Sequence, residues 1–181
     1  DFDHCDYYLN IKELVSSFSQ FGSNSKILLT NEDCKITQAN ITSDYKWSIE
    51  KTNNVDFAMI SNKLYPDYTI ADYYEKGQFI TRIKVPIPGM HNLSNITAAI
   101  SACRIINLDI NCIFKNIQSL KLPRKRFDLR GEVFERKIVD DYAHHPNEIK
   151  ATIELARIFI KNKDNNINRL VVIFQPHRYS R

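Results

Sequence analysis

Val139-Asp140-Asp141-Tyr142-Ala143-His144-His145-Pro146-Asn147-Glu148, running on into Ile149-Lys150-Ala151-Thr152-Ile153, is the stretch that decides the fold class. Two acids close an apolar segment, two imidazoles follow, and Pro146 opens a helix. Proline suits the first helical turn because its missing N–H would have been unpaired anyway. Upstream, residues 129–141 read as a strand pair. Downstream, Arg169 to Phe174 reads as a further strand. Strand–helix–strand order begins a parallel α/β unit. Binding and catalytic groups gather at the carboxyl ends of such strands. Asp141 could therefore accept the two hydroxyls of a ribose. His144 and Glu148 stand at i, i+4, but no third residue has the spacing a zinc site needs.

Working outward, Pro123 breaks the preceding pattern and Arg124, Lys125 and Arg126 follow it, so a domain boundary is placed between residues 123 and 124. Before it, residues 92–107 read as a helix with a small-residue face (Ala98, Ala99, Ala102). Residues 109–120 read as a second helix capped by Asp109. Residues 77–88 alternate apolar and polar side chains and end in Pro88-Gly89, a strand running into a turn. Residues 10–21 have apolar positions at helical spacing and stop near Gly22, and residues 26–30 form a short strand. Residues 31–75 read only as small strands and loops. The expected class is α/β, with no internal repeat.

Composition narrows the function classes. With 43% hydrophobic and 25% charged residues among 181, the chain is globular. No run approaches the apolar length of a membrane helix, and the start has no leader-like pattern, so a cytoplasmic location is expected. Cys5, Cys34, Cys103 and Cys112 are widely spaced and read as reduced thiols. A net charge of +4 suits polyanionic small molecules such as nucleotides, and is too mild to indicate nucleic acid. Both ends break off inside motif-like segments, and the chain reads as cut at each.

Four more segments could carry chemistry, and every histidine lies in one of these segments or in the deciding stretch. Asp1-Phe2-Asp3-His4-Cys5-Asp6 groups carboxylates and an imidazole that could meet a magnesium ion, or it is a solvated loop. Pro88-Gly89-Met90-His91-Asn92-Leu93-Ser94-Asn95 sits at a strand-to-helix junction. There Asn92 and Asn95 share a face and could read an adenine edge, or one residue simply caps the helix. Arg124 to Arg126 could reach a phosphate or base from a hinge, or be a solvated linker. Arg178 and Arg181, beyond the last strand, are guanidinium forks suited to a carboxylate or phosphate.

Taken in order, DHCDYY, PGMHNLSN, RKRFDLRGE, VDDYAHHPNEIKATI and VVIFQPHRYSR resemble the Mur ligases. The last two are most similar to the branch that joins L-alanine to UDP-N-acetylmuramate in peptidoglycan biosynthesis. The resemblance implies an α/β architecture in which residues 1–123 form the later part of a central ATP-binding domain. Residues 124–181 would then begin a Rossmann-like C-terminal domain. It implies ATP and Mg2+ as cofactors, with His4 beside the metal. His91, Asn92, Asn95, Arg126, Asp141 and Tyr142 would surround the nucleotide. His144, Arg178 and Arg181 would act where the carboxylate, phosphoryl group and alanine meet. The implied partners are the two substrates, with no nucleic acid and no membrane. The four glycines include none followed by Lys-Ser/Thr, so the phosphate loop and the UDP-binding domain are missing from this stretch. The polypeptide alone is expected to be inactive. Two other readings compete: a sister Mur ligase with a peptide acceptor, and a non-catalytic nucleotide- or nucleic-acid-binding module.

Overall fold

A computed structural model describes residues 7–161 and 169–176. Five strands form one sheet in sequence order: β1 (Leu29–Asn31), β2 (Tyr45–Ser48), β3 (Phe57–Leu64), β4 (Thr69–Glu75) and β5 (Gln78–Val85). β1, β2 and β3 run parallel, whereas β3, β4 and β5 form an antiparallel meander. Helices α1 (Ile11–Ser23) and α2 (Lys35–Asn40) lie at the parallel end. After β5 come α3 (Met90–Ile105) and α4 (Ile110–Ile117), then the hairpin β6 (Asp128–Val133) and β7 (Arg136–Asp140), then α5 (Pro146–Lys161).

The core forms where α3 crosses the sheet. Leu93, Ile96 and Ile100 recur at helical spacing and are buried with Trp47, Phe57, Met59, Tyr73 and Val85. Each such side chain stabilises the fold by about 1.5–3 kcal/mol when fully buried. Thr97 and Ser101 share that buried face. Their hydroxyls donate to the carbonyls of Leu93 and Thr97 at 2.7 Å, so neither is left unpaired. Asp109 caps α4 by accepting the Cys112 N–H at 2.9 Å, as expected from its position.

The stretch 31–75, expected as small strands and loops, in fact supplies three of the five strands of the main sheet and the helix α2. The strand expected at Arg169 to Phe174 is not formed. An apolar run becomes a strand only by pairing, and the described residues pair β6 and β7 with each other alone. Val171, Val172, Ile173 and Phe174 are accordingly exposed. The polar stretch around 162–168 lies outside the described residues.

One contact packs the later segment on itself and one ties it to the earlier segment. Phe127 and Phe159 pack with ring centroids 6.2 Å apart, which seats the hairpin stem on α5. Leu155 of α5 is 1% exposed. Gly89 (φ +96°) lies beside it, and a Cβ there would stand 3.7 Å from Leu155 and 3.0 Å from the His91 ring. A glycine is needed for both the backbone angle and the close approach. Among the described residues no helix is long and apolar enough to cross a membrane.

Candidate functional site

The sharp turn at Gly89 starts α3 with no side-chain cap. Asn92, buried, instead folds back and donates from Nδ2 to the Pro88 carbonyl at 2.7 Å. That bond takes one of its two amide hydrogens. Asn95, one turn on, is exposed and makes no side-chain hydrogen bond among the described residues. The two asparagines therefore differ: one holds the turn and the other is available.

Across from α3, the chain crosses between the two segments at residues 121–127. Lys125 and Phe127 both have left-handed backbone (φ +61° and +48°). Hydrogen bonds from the end of β7 hold this strained crossing. The Tyr142 N–H donates to the Lys125 carbonyl at 2.8 Å. Asp141 Oδ2 accepts the Phe127 N–H at 2.8 Å, and its Oδ1 accepts the Ala143 N–H at 2.8 Å. Both carboxylate oxygens thus already serve the backbone, each with a lone pair left for a further donor.

Glu148 ties the start of α5 to the same crossing. Its Oε2 accepts the N–H groups of His144 and His145 at 3.1 and 3.2 Å. The other half of this capping arrangement comes from His145 Nδ1, which accepts the Asn147 N–H at 3.3 Å. Glu148 Oε1 lies 3.7 Å from an Arg126 guanidinium nitrogen. Burial pushes the Glu148 carboxyl up, but those N–H groups and the charges of His144 and Arg126 outweigh it and hold the carboxyl below its ordinary value. His144 Nδ1 lies 2.9 Å from the Tyr142 carbonyl, and its ring meets the Tyr142 ring edge-on at 5.0 Å.

These parts enclose one cleft of about 830 Å3 between α3, α4, the crossing and α5. His91, Asn92, Asn95, Arg126 and Asp141 all line it, with Asn147 and Glu148 beside them. Partial desolvation lowers the His91 pKa, Asp141 and Glu154 oppose that, and Arg126 adds to it. Tyr142 and His144 adjoin the cleft through Asp141 and Glu148 without being among its lining residues. His4, Arg178 and Arg181 lie outside the described residues. Among the described residues, no three His, Cys, Asp or Glu side chains gather in a way that could hold a metal ion. Cys34, Cys103 and Cys112 are free thiols.

Sequence reasoning missed the part played by Glu148, which it considered only as a zinc ligand. Its place at the third helical position after a cap was the available signal. The apolar α4 wall was missed as well.

Comparison with known proteins places this geometry. Residues 1–103 match the Mur ligase middle domain. The UDP-N-acetylmuramate–L-alanine ligase of Prochlorococcus marinus subsp. pastoris is 56% identical over all of this chain and 39% of its own length. The ligase of the same name from Synechococcus sp. strain CC9311 is 40% identical over all of the chain and 38% of its own length. Among solved structures, UDP-N-acetylmuramate–alanine ligase from Thermotoga maritima superposes with a TM-score of 0.74 at 21% identity, covering 88% of this chain and 37% of that one. MurF ligase from the same organism in complex with ADP superposes at 0.67 and 19% identity, over 84% and 36% of the two chains. Both show a shared fold. The chain spans about 39% of the length of the curated relatives it matches.

Proposed function

The chain belongs to the Mur ligase family, and on that premise we propose that it forms a nucleotide-facing part of a cytoplasmic ligase that joins L-alanine to UDP-N-acetylmuramate at the expense of ATP. Residues 1–123 would be the later part of the central domain and 124–181 the start of the C-terminal one. The observation that carries the reading is the convergence of Asn95, Arg126 and Asp141 on a single cleft across the crossing at 121–127.

Each group has a role its surroundings allow. The Asn95 amide makes no side-chain hydrogen bond among the described residues, so it can both donate to and accept from the edge of a purine. Asp141 is held rigidly by two N–H donors and has lone pairs left for ribose hydroxyls. Arg126 is bound to Glu148 only at 3.7 Å, and can turn toward the nucleotide at little cost. Asn92 acts one step back, by fixing the turn from which Asn95 projects.

In the proposed reaction, a carboxylate oxygen of UDP-N-acetylmuramate attacks the γ-phosphorus of ATP and ADP leaves. The alanine amine then attacks the acyl phosphate carbonyl, the C–N bond forms, and phosphate departs with the C–O electron pair. His144, whose backbone and ring are both fixed near Tyr142 and Glu148, is positioned to meet the reacting groups. Arg178 and Arg181 would neutralise carboxylate or phosphoryl charge. Closure of the two segments about the crossing would exclude water from the acyl phosphate. Magnesium with His4 rests on the family resemblance, and no step is derived through it.

The test is phosphate release by the protein at its full encoded length, with ATP and UDP-N-acetylmuramate present. Release that depends on L-alanine supports the reading. Release that needs a peptide acceptor instead, or no release with either, refutes it.

A further inference from the structure

The cleft runs well past the residues assigned to the nucleotide. Cys103 lies eleven residues beyond Asn92 on α3, about 16 Å along the axis of a helix rising 1.5 Å per residue. The far end is walled by Ala99 and Cys103 on α3, Leu108 in the turn, and Cys112 and Ile113 on α4. Its polar groups are committed or peripheral. The Asn116 amide donates to the Cys112 carbonyl at 2.8 Å, and Lys121 is exposed. Ala99 and Cys103 are small, and leave open a volume that a leucine or phenylalanine would fill.

The opposite wall is anchored. Arg104 donates to the Leu108 carbonyl at 2.6 Å, which fixes the turn between α3 and α4. Its other nitrogens donate to both oxygens of Glu75 at 2.6 and 3.3 Å. The hydroxyl of fully buried Tyr73 donates to the same carboxylate at 3.0 Å, and its ring meets Phe114 of α4 edge-on at 5.5 Å. A turn fastened in this way to a central strand does not collapse into the space beside it. The apolar end is therefore a preformed part of the fold.

We infer that this annex is a binding site for an apolar group carried on the exocyclic-amino edge of the adenine base. The inference rests on reading the cleft as the nucleotide site. Were the ribose held at Asp141 and the base beside Asn95, Ala99 and Cys103, one and two turns further along α3 in the same cleft, would be within reach of a group on the outer edge of the base. An aromatic group there leaves water for apolar walls, which is favourable and needs no new polar partner. Unsubstituted adenine stops short of it.

The experiment is calorimetric titration of the protein at its full encoded length with ADP and with N6-benzyl-ADP. The expected result is binding of the benzyl compound roughly tenfold tighter than ADP. Cys103→Phe, which fills the annex, is expected to erase that gain while leaving ADP affinity within about twofold. Ala99→Leu is the second variant, and a thermal melt checks that each is folded. If ADP binds and the benzyl compound binds no better, the inference is overturned and the nucleotide reading stands. A gain that survives both variants overturns it too. If neither compound binds, the nucleotide reading falls and takes the annex with it.

Discussion

The carboxylate of Asp141 accepts the N–H of Phe127 at 2.8 Å, and so fastens the end of β7 to a crossing whose backbone is left-handed at Phe127. The residue proposed to hold the ribose is thus also what fixes the end of β7 against the crossing. Asp141→Asn keeps the shape but turns an N–H2 group toward one of two backbone donors. It is expected to destabilise the protein by about 1–3 kcal/mol, the usual cost of a lost partner at a partly buried donor. Thermal unfolding measures the loss, and amide exchange should accelerate at Phe127 or Ala143. Unchanged exchange at both would count against the tie.

The two asparagines of α3 should separate cleanly. Asn92→Ala removes a bond to the Pro88 carbonyl and leaves a buried gap, so a stability loss of about 1–2 kcal/mol is expected. Asn95→Ala touches no bond among the described residues and should leave the melting temperature nearly unchanged while raising KM for ATP. Equal effects of the two variants on stability would show that the assignment of roles is wrong.

Glu148 gives a pH signature. Its folded pKa is held below the ordinary 4.5, so the unfolded chain binds the proton more readily. The resulting stability is present above about pH 4.5 and is lost as pH falls through the lower folded value. Glu32, Glu75, Asp72 and Asp128 shift the same way, so the useful quantity is the difference between wild type and Glu148→Gln across that window. The difference should shrink as acid is added. A constant difference would mean that the Glu148 charge plays no part in the cap.

His91 should titrate below its ordinary 6.5. Replacing Arg126 with Ala removes a charge that lowers it, so the pKa should rise. Replacing Asp141 with Asn removes a charge that raises it, so the pKa should fall further. NMR titration of the imidazole, assigned with a His91→Asn control, reads both signs. Shifts of the same sign in the two variants would contradict the geometry.

The segment from Val139 to Glu148 could be read in advance because its signals are local. Acids, a turn and a helix-starting proline follow one another, and Asp109 as a cap is local in the same way. The strands β3 and β4 were hidden for a physical reason. Phe57, Ala58 and Met59 are all buried, as are Ala71, Asp72 and Tyr73. A strand covered on both faces loses the two-residue alternation that marks a half-exposed one. Residues 169–174 show the converse, since strand-like composition does not produce a strand without a neighbour. The Arg104–Glu75 pair joins residues 29 apart in sequence, and no local pattern announces it. Which oxygens of Asp141 are already occupied was likewise a matter of tertiary structure.

Photolabelling with 8-azido-ADP, followed by mass spectrometric mapping of the labelled peptides, locates the nucleotide without relying on activity. The protein at its full encoded length should carry the label on peptides from Pro88–Cys103 or Leu122–Phe127, and excess ADP should suppress it. Label confined to β3–β5 or to α1, or label that ADP does not displace, would mean that the cleft between α3 and α5 is not where the nucleotide binds.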